Sequence, residues 1–313
     1  MKAWRITCYG HPLDLRDVPR PSPGQGQVLV DVRAAGLCHT DISEIAGRLT
    51  VLNPPLPFTP GHEIAGVVAE LGPGATRLHL GQRVALPASG SSPGIASDGG
   101  FAEFVVATES DLISIPESVD FSDAAPATDA GMTSMHALRV GGVGKGTRVG
   151  VIGLGGLGSM GSQIAVALGA EVYAAELNED VWERAAGWGV RRCARDITEF
   201  AAEELEVIVD FAGAGTTTSA AIEALGHGGR VVQVGSTRHE ALISTRTMLF
   251  KELSLHGSQG GSRQDALDVI DLIARGAVIP FVTPILFDEI GDGIDRLEGG
   301  DVRGRLVALR SPS

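Results

Sequence analysis

The stretch that decides the fold is Val149-Gly150-Val151-Ile152-Gly153-Leu154-Gly155-Gly156-Leu157-Gly158, continuing into Ser159–Leu168. Val149–Ile152 is a short apolar run with the character of a buried strand, and Ser159–Leu168 has the length and composition of a buried helix. Between them the glycines spell G-x-G-x-x-G, a weak pattern alone but a mechanical one between strand and helix. The first glycine permits the tight turn, the second lets the main chain close on a pyrophosphate, and the third lets the helix pack on the strand. Free N–H groups and the positive end of the helix dipole then face the diphosphate. Gly153, Gly155, Gly156 and Gly158 are therefore candidate cofactor contacts. The pattern is completed by an acid about 20 residues on, at the end of the next strand. Val172-Tyr173-Ala174-Ala175 runs into Glu176, which lies 18 residues past Gly158. A carboxylate there accepts hydrogen bonds from ribose hydroxyls and repels a 2′-phosphate, and Leu177-Asn178-Glu179-Asp180 brings no arginine to offset it. The reading is an NAD site in preference to NADP. Its rival is a structural glycine turn beside a surface glutamate.

On both sides of this stretch the pattern is informative. A helix is expected over Ala124–Leu138, after which strands and helices alternate. Val172–Ala175, Val207–Phe211 and Val231–Val234 read as strands; Val181–Trp188 and Ser219–Leu225 read as helices. Such alternation implies a parallel sheet covered on both faces. A helix over Arg263–Arg275, with Ser262 and Asp265 as a capping pair at its start, and a strand at Leu306–Leu309 close the chain. Residues 1–125 differ. Val28, Val30 and Val32 alternate along a half-buried strand, Ile64–Ala69 and Phe101–Val106 are short apolar runs, and Pro19, Pro21, Pro23, Pro54, Pro55, Pro57 and Pro60 punctuate the rest. The fold class is α/β, with a β-rich first part.

Composition narrows the field further. The 313 residues suggest about two domains. Glycine supplies 43 of them without a G-x-y period, which excludes collagen and assigns the glycines to turns and close approaches. Three cysteines, Cys8, Cys38 and Cys193, are too few and too odd for a disulfide framework and suit a reducing cytosol. A net charge of −13 with no basic run argues against nucleic acid. Val149–Ala170 carries no formal charge over a bilayer-spanning length, but seven glycines and three polar residues interrupt it, so no membrane span is expected. The N-terminus lacks the apolar core of a signal peptide.

Two polar clusters remain: Gly36-Leu37-Cys38-His39-Thr40-Asp41 and Gly61-His62-Glu63. Singly, each has a bland reading as a buried thiol or a turn histidine. Together, ahead of a glycine-rich dinucleotide fold, they resemble the zinc-dependent medium-chain alcohol dehydrogenases. Asp98-Gly99-Gly100-Phe101-Ala102-Glu103-Phe104, Asp129-Ala130-Gly131-Met132-Thr133, Gly228-Gly229-Arg230-Val231-Val232 and Arg303-Gly304-Arg305 carry the likeness along nearly the whole chain. The resemblance implies a GroES-like catalytic domain over 1–126, completed by 262–313, and a Rossmann domain over 127–261. It implies a catalytic zinc on Cys38, His62 and Asp129 with one open position. It casts Thr40 as the group that takes the alcohol proton, Asp41 as the support behind His62, and Glu63 as a neighbour and occasional ligand of the zinc. His39 and Arg305 are cast on the cofactor diphosphate, and Thr133 on the nicotinamide. For Arg305 the alternative is an exposed charge at a strand end. The implied substrate is a small-molecule alcohol or carbonyl compound, and the implied assembly a homodimer or homotetramer.

The chain also departs from that pattern. Many members hold a second, structural zinc on four closely spaced cysteines, but here Ala85–Ser97 contains none. One zinc per chain is expected. Where many members place a relay histidine three residues after the relay hydroxyl, this chain has Ser43, so the proton is expected to pass directly to water. Ala88 stands where some members put a bulky aromatic, which leaves room for a bulky secondary alcohol or ketone. Two other readings compete: a zinc-free quinone or enone reductase of the same superfamily, and a non-catalytic nucleotide-binding sensor.

Overall fold

A computed structural model describes residues 1–51 and 53–311. The chain divides into two compact units. One comprises Met1–Asp129, Ser262–Ala274 and Pro280–Ser313; the other comprises Ala130–Gly261 and Arg275–Ile279.

The second unit is built on six parallel strands. Their order across the sheet is Arg192–Ala194, Glu171–Ala175, Arg148–Ile152, Leu205–Asp210, Leu225–Gln233 and Ser254–Gly257. In chain order this is 3-2-1-4-5-6, the doubly wound arrangement whose reversal lies between the first and fourth strands. The glycine turn leaves the first of these strands and enters the helix Gly156–Ala167. Gly153 sits at φ +84, a left-handed conformation that side chains resist. A Cβ at Gly158 would stand 1.7 Å from the Gly153 carbonyl oxygen, so helix and turn touch main chain to main chain. Around Gly155 a Cβ would meet nothing within 4 Å, so the middle of the turn is open on that side. The charge-free stretch is thus a strand, a turn and a short helix, and no described helix is long and apolar enough to cross a membrane.

In the first unit a bent strand, Gln27–Gly36, organises a mainly antiparallel sheet. It pairs with Glu63–Leu71, Phe104–Thr108 and Arg305–Leu309, and its register shifts between Leu29 and Val30 and between Val32 and Ala34. Such irregularities bend a strand and re-aim its side chains. Phe58, Phe101, Leu29, Leu37, Ile64 and Leu86 fill the interior. The expected capping pair is present: Ser262 N–H donates to Asp265 Oδ2 at 2.7 Å, and Asp265 N–H donates to Ser262 Oγ at 3.2 Å.

The expected helix over Ala124–Leu138 is a correction. Phe121–Pro126 and Met132–Gly141 are α-helical, but Ala127–Gly131 between them is a π-helical turn. An apolar 3.6-residue period does not register the one extra residue that such a turn inserts. The strand-like start at Met1–Arg5 is a strand over Lys2–Arg5, whereas strands at Asp14–Asp17 and Arg192–Ala194 went unpredicted because each is four residues or fewer and carries charge.

Replacing Gly158 by alanine is expected to lower the thermal unfolding midpoint, because overpacking of this kind costs about 1–3 kcal/mol. An unchanged midpoint would show that turn and helix separate without penalty.

Candidate metal centre and dinucleotide site

Cys38 is the residue before the seven-residue helix His39–Ile45. The helix is held at its start by Asp41, whose Oδ2 accepts the Cys38 N–H at 2.7 Å. The other oxygen of the same carboxylate, Oδ1, lies 3.2 Å from His62 Nδ1. One buried side chain thus sets both the helix entry and the imidazole. A carboxylate at Nδ1 favours the proton there and leaves the Nε2 lone pair for a metal. His62 follows Gly61, whose φ is +94 and where a Cβ would lie 2.4 Å from the Phe101 ring. Asp129 is the third residue of the π-helical turn.

These three residues come together. Asp129 Oδ2 lies 3.6 Å from Cys38 Sγ and 3.5 Å from His62 Nε2. The donor atoms of Cys38, His62 and Asp129 all fall within 4.8 Å of one another, and they form the one such group found among the described residues. Bonds of about 2.0 Å to N or O and about 2.3 Å to S, set tetrahedrally, put donor atoms roughly 3.3–3.5 Å apart. The two separations from Asp129 are close to that spacing, and thiolate, imidazole and carboxylate are zinc donors. Cys38 and His62 are buried, while Asp129 is 18 % exposed and forms the accessible side of the set. Charge agrees with geometry. Burial alone would lower the His62 pKa, but Asp41, Asp129 and Cys38 raise it well above the usual value. The surroundings therefore demand positive charge at this point, and a divalent cation balances a thiolate and a carboxylate.

The neighbouring candidates are placed as follows. Thr40 is half-buried, with Oγ1 3.7 Å from Cys38 Sγ. The Ser43 hydroxyl donates back to the His39 carbonyl at 3.2 Å. His39, the first residue of the helix, is exposed. Glu63 stands outside the donor set; its Oε1 lies 3.2 Å from Arg305 Nη2. Gly36 makes the space, since a Cβ there would be 1.8 Å from Glu63 Oε2. Arg305 is buried and not a surface charge at a strand end: Nη1 donates to the Leu37 carbonyl at 2.9 Å. Burial would weaken its charge, but Glu63, Cys38 and Asp129 hold the proton on.

In the second unit, Glu176 closes the glycine turn onto its own strand end. Oε2 accepts the Leu154 N–H at 2.7 Å and Oε1 the Asn178 N–H at 2.8 Å. Thr133 is a buried residue of the helix Met132–Gly141.

Sequence reasoning missed Glu44. It lies three residues after Asp41, on the same buried face of the helix, and neither carboxyl oxygen has a hydrogen-bond partner. Burial and the Asp41 charge push its pKa up to about 9, against the opposing influence of His62. It is a neutral acid behind the centre. A helix of seven residues offers no periodicity to reveal it.

The alcohol dehydrogenase GroES-like domain model matches residues 24–117, and the zinc-binding dehydrogenase model matches 156–275. An alcohol dehydrogenase of Geobacillus stearothermophilus is 32 % identical, over 98 % of this chain and 99 % of that protein. An NAD-dependent alcohol dehydrogenase of Sulfolobus acidocaldarius is also 32 % identical, over 98 % and 99 %. The crystal structure of the alcohol dehydrogenase from the archaeon Aeropyrum pernix superposes with a TM-score of 0.90 at 30 % identity, covering 99 % of this chain and all of that one.

A carboxyl whose pKa is higher folded than unfolded adds stability at low pH and loses it as pH climbs toward the folded value. For Glu44 that window runs from about 4.5 to about 9. Glu44→Gln is expected to flatten the fall in melting temperature between pH 5 and pH 9. Parallel curves for the two proteins would exclude a neutral Glu44.

Proposed function

The chain belongs to the zinc-binding alcohol dehydrogenase family, and from that premise we propose how its residues divide the work. It is an NAD-dependent oxidoreductase that interconverts alcohols and carbonyl compounds. When bound, zinc supplies a Lewis acid that acidifies an alcohol and polarises a carbonyl, and the nicotinamide supplies the hydride acceptor or donor. Cys38, His62 and Asp129 hold the metal; the convergence of their donor atoms, with both separations from Asp129 close to a tetrahedral edge, is the observation that carries this reading.

Thr40 takes the alcohol proton, since its hydroxyl sits beside the Cys38 sulfur and is partly open to solvent. Ser43 is a poor next carrier because its hydrogen is committed to the His39 carbonyl, so the proton leaves to water. Asp41 orients His62, and Glu63 keeps Arg305 charged and in place. Arg305 Nε is buried without a hydrogen-bond partner, which suits a role toward an anion such as the cofactor diphosphate. His39 is assigned to the same diphosphate and Thr133 to the nicotinamide. Gly153, Gly155, Gly156 and Gly158 let the helix end approach the diphosphate, and Glu176 receives the ribose. The intact donor set weighs against a zinc-free reductase. A cytosolic setting fits three cysteines that are all free.

An assembly of two or four copies is supported by one edge of the parallel sheet. Ser254–Gly257 is the terminal strand there; Leu255 within it is exposed, as are Leu249 and Phe250 in the helix Thr245–Phe250 that precedes it in the chain. Uncovered edges carrying apolar groups invite pairing.

The decisive experiment is metal analysis with NAD(H) turnover on a panel of alcohols and ketones. One zinc per chain and turnover of at least one pair are expected, with Thr40→Ala severely impaired and Ser43→Ala close to wild type. Zinc without turnover would instead favour a sensor. Light scattering is expected to return at least twice the 32.4 kDa chain mass, and a monomer would dismiss the edge as an interface.

A further inference from the structure

We propose that Arg195 is a latent anchor for a 2′-phosphate on the adenosine ribose, and that Glu176 and Glu179 together keep it from serving as one. The inference rests on the dinucleotide reading of the second unit.

Arg195 lies 19 residues after Glu176 in sequence yet beside it in space. The strand Arg192–Ala194 runs parallel to Glu171–Ala175 with Ala194 opposite Ala175. The Glu176 N–H donates to the Ala194 carbonyl at 2.9 Å. Glu176 and Arg195 therefore leave the sheet side by side at its carboxyl edge, where dinucleotides bind such sheets. The Arg195 guanidinium reaches over the following turn: Nη1 lies 2.8 Å from Glu179 Oε1 and 3.3 Å from the Leu177 carbonyl.

The two acids differ in how firmly they are held. Glu176 accepts two main-chain N–H bonds, one to each oxygen, and is fixed. The Arg195–Glu179 pair is about 59 % and 58 % exposed, so solvent screens it and it exchanges readily. A guanidinium offers a planar fork that fits a phosphate better than a single carboxylate oxygen. Against it stand the carboxylates of Glu176 beside it and Glu179 paired with it. Selectivity for NAD then lies in carboxylates that mask an arginine already present. The absence of arginine from Leu177–Asp180 is not its source.

The test is fluorescence titration of the full-length protein with NADH and NADPH. Wild type is compared with Glu176→Gln/Glu179→Gln, and with the same pair carrying Arg195→Ala. Glutamine at 176 keeps one acceptor, for the Leu154 N–H, and gives up the bond from the Asn178 N–H, so the melting temperature of each variant is measured beside its affinities. The double variant is expected to move the NADH/NADPH affinity ratio at least tenfold toward NADPH, and Arg195→Ala to reverse that shift. Glu179→Gln alone, at an exposed position, is expected to move the ratio the same way by less, which guards against misfolding of the double variant. A shift that survives Arg195→Ala, or no shift while NADH still binds, overturns the proposal. Failure of the wild type to bind NADH at all overturns the dinucleotide reading itself, and the proposal with it.

Discussion

Enclosed negative charge is the constraint on which the first unit depends. Asp41, Glu44 and Glu63 have no exposed surface, and Cys38 is nearly as deep. An isolated carboxylate removed from water is costly enough that it must be paired, bonded or neutralised. The chain uses all three remedies. Asp41 is bonded to the Cys38 main chain and set against His62, Glu63 is paired with Arg305, and Glu44 keeps its proton. The thiol and Asp129 are left for a metal ion to balance. The same arrangement that prevents an unpaired charge defines where a cation belongs, so the stability of this region and its chemistry share one set of atoms.

The second unit is governed by shape more than by charge. Its turn works because glycines allow main chain to touch main chain at Gly158 and leave open space at Gly155. Glu176 stabilises that turn through Leu154 while standing at the edge where a ribose is expected. The residue proposed to receive the ribose therefore also braces the glycine turn, and a substitution there acts on the turn in any case.

Much of this was legible in the sequence because motifs report local geometry. G-x-G-x-x-G followed by an acid described a strand, a turn and a helix, and that order is present. The pairing of Ser262 with Asp265 was readable for the same reason. What escaped was set by tertiary placement. The π-helical turn that carries Asp129 differs from an α-helix by a single residue of register, which apolar periodicity does not resolve. Glu44 looks like a surface residue until the helix is seen to bury that face. Arg195 joins Glu176 only through the parallel pairing of two strands, and a scan confined to Leu177–Asp180 never reaches it.

The serine-rich loop that replaces the cysteine lobe has a consequence for durability. Ser89 N–H donates to Ser92 Oγ at 3.0 Å and Gly94 N–H to the Ser97 carbonyl at 2.9 Å, so the segment is closed by hydrogen bonds alone. The segment offers no sulfur to an oxidant. Of the chain's three thiols, Cys8 is exposed, burial pushes the Cys193 thiol up to about 11, and Cys38 is shielded. An oxidant in solution therefore meets Cys8 first and finds no sulfur between Ser89 and Ser97.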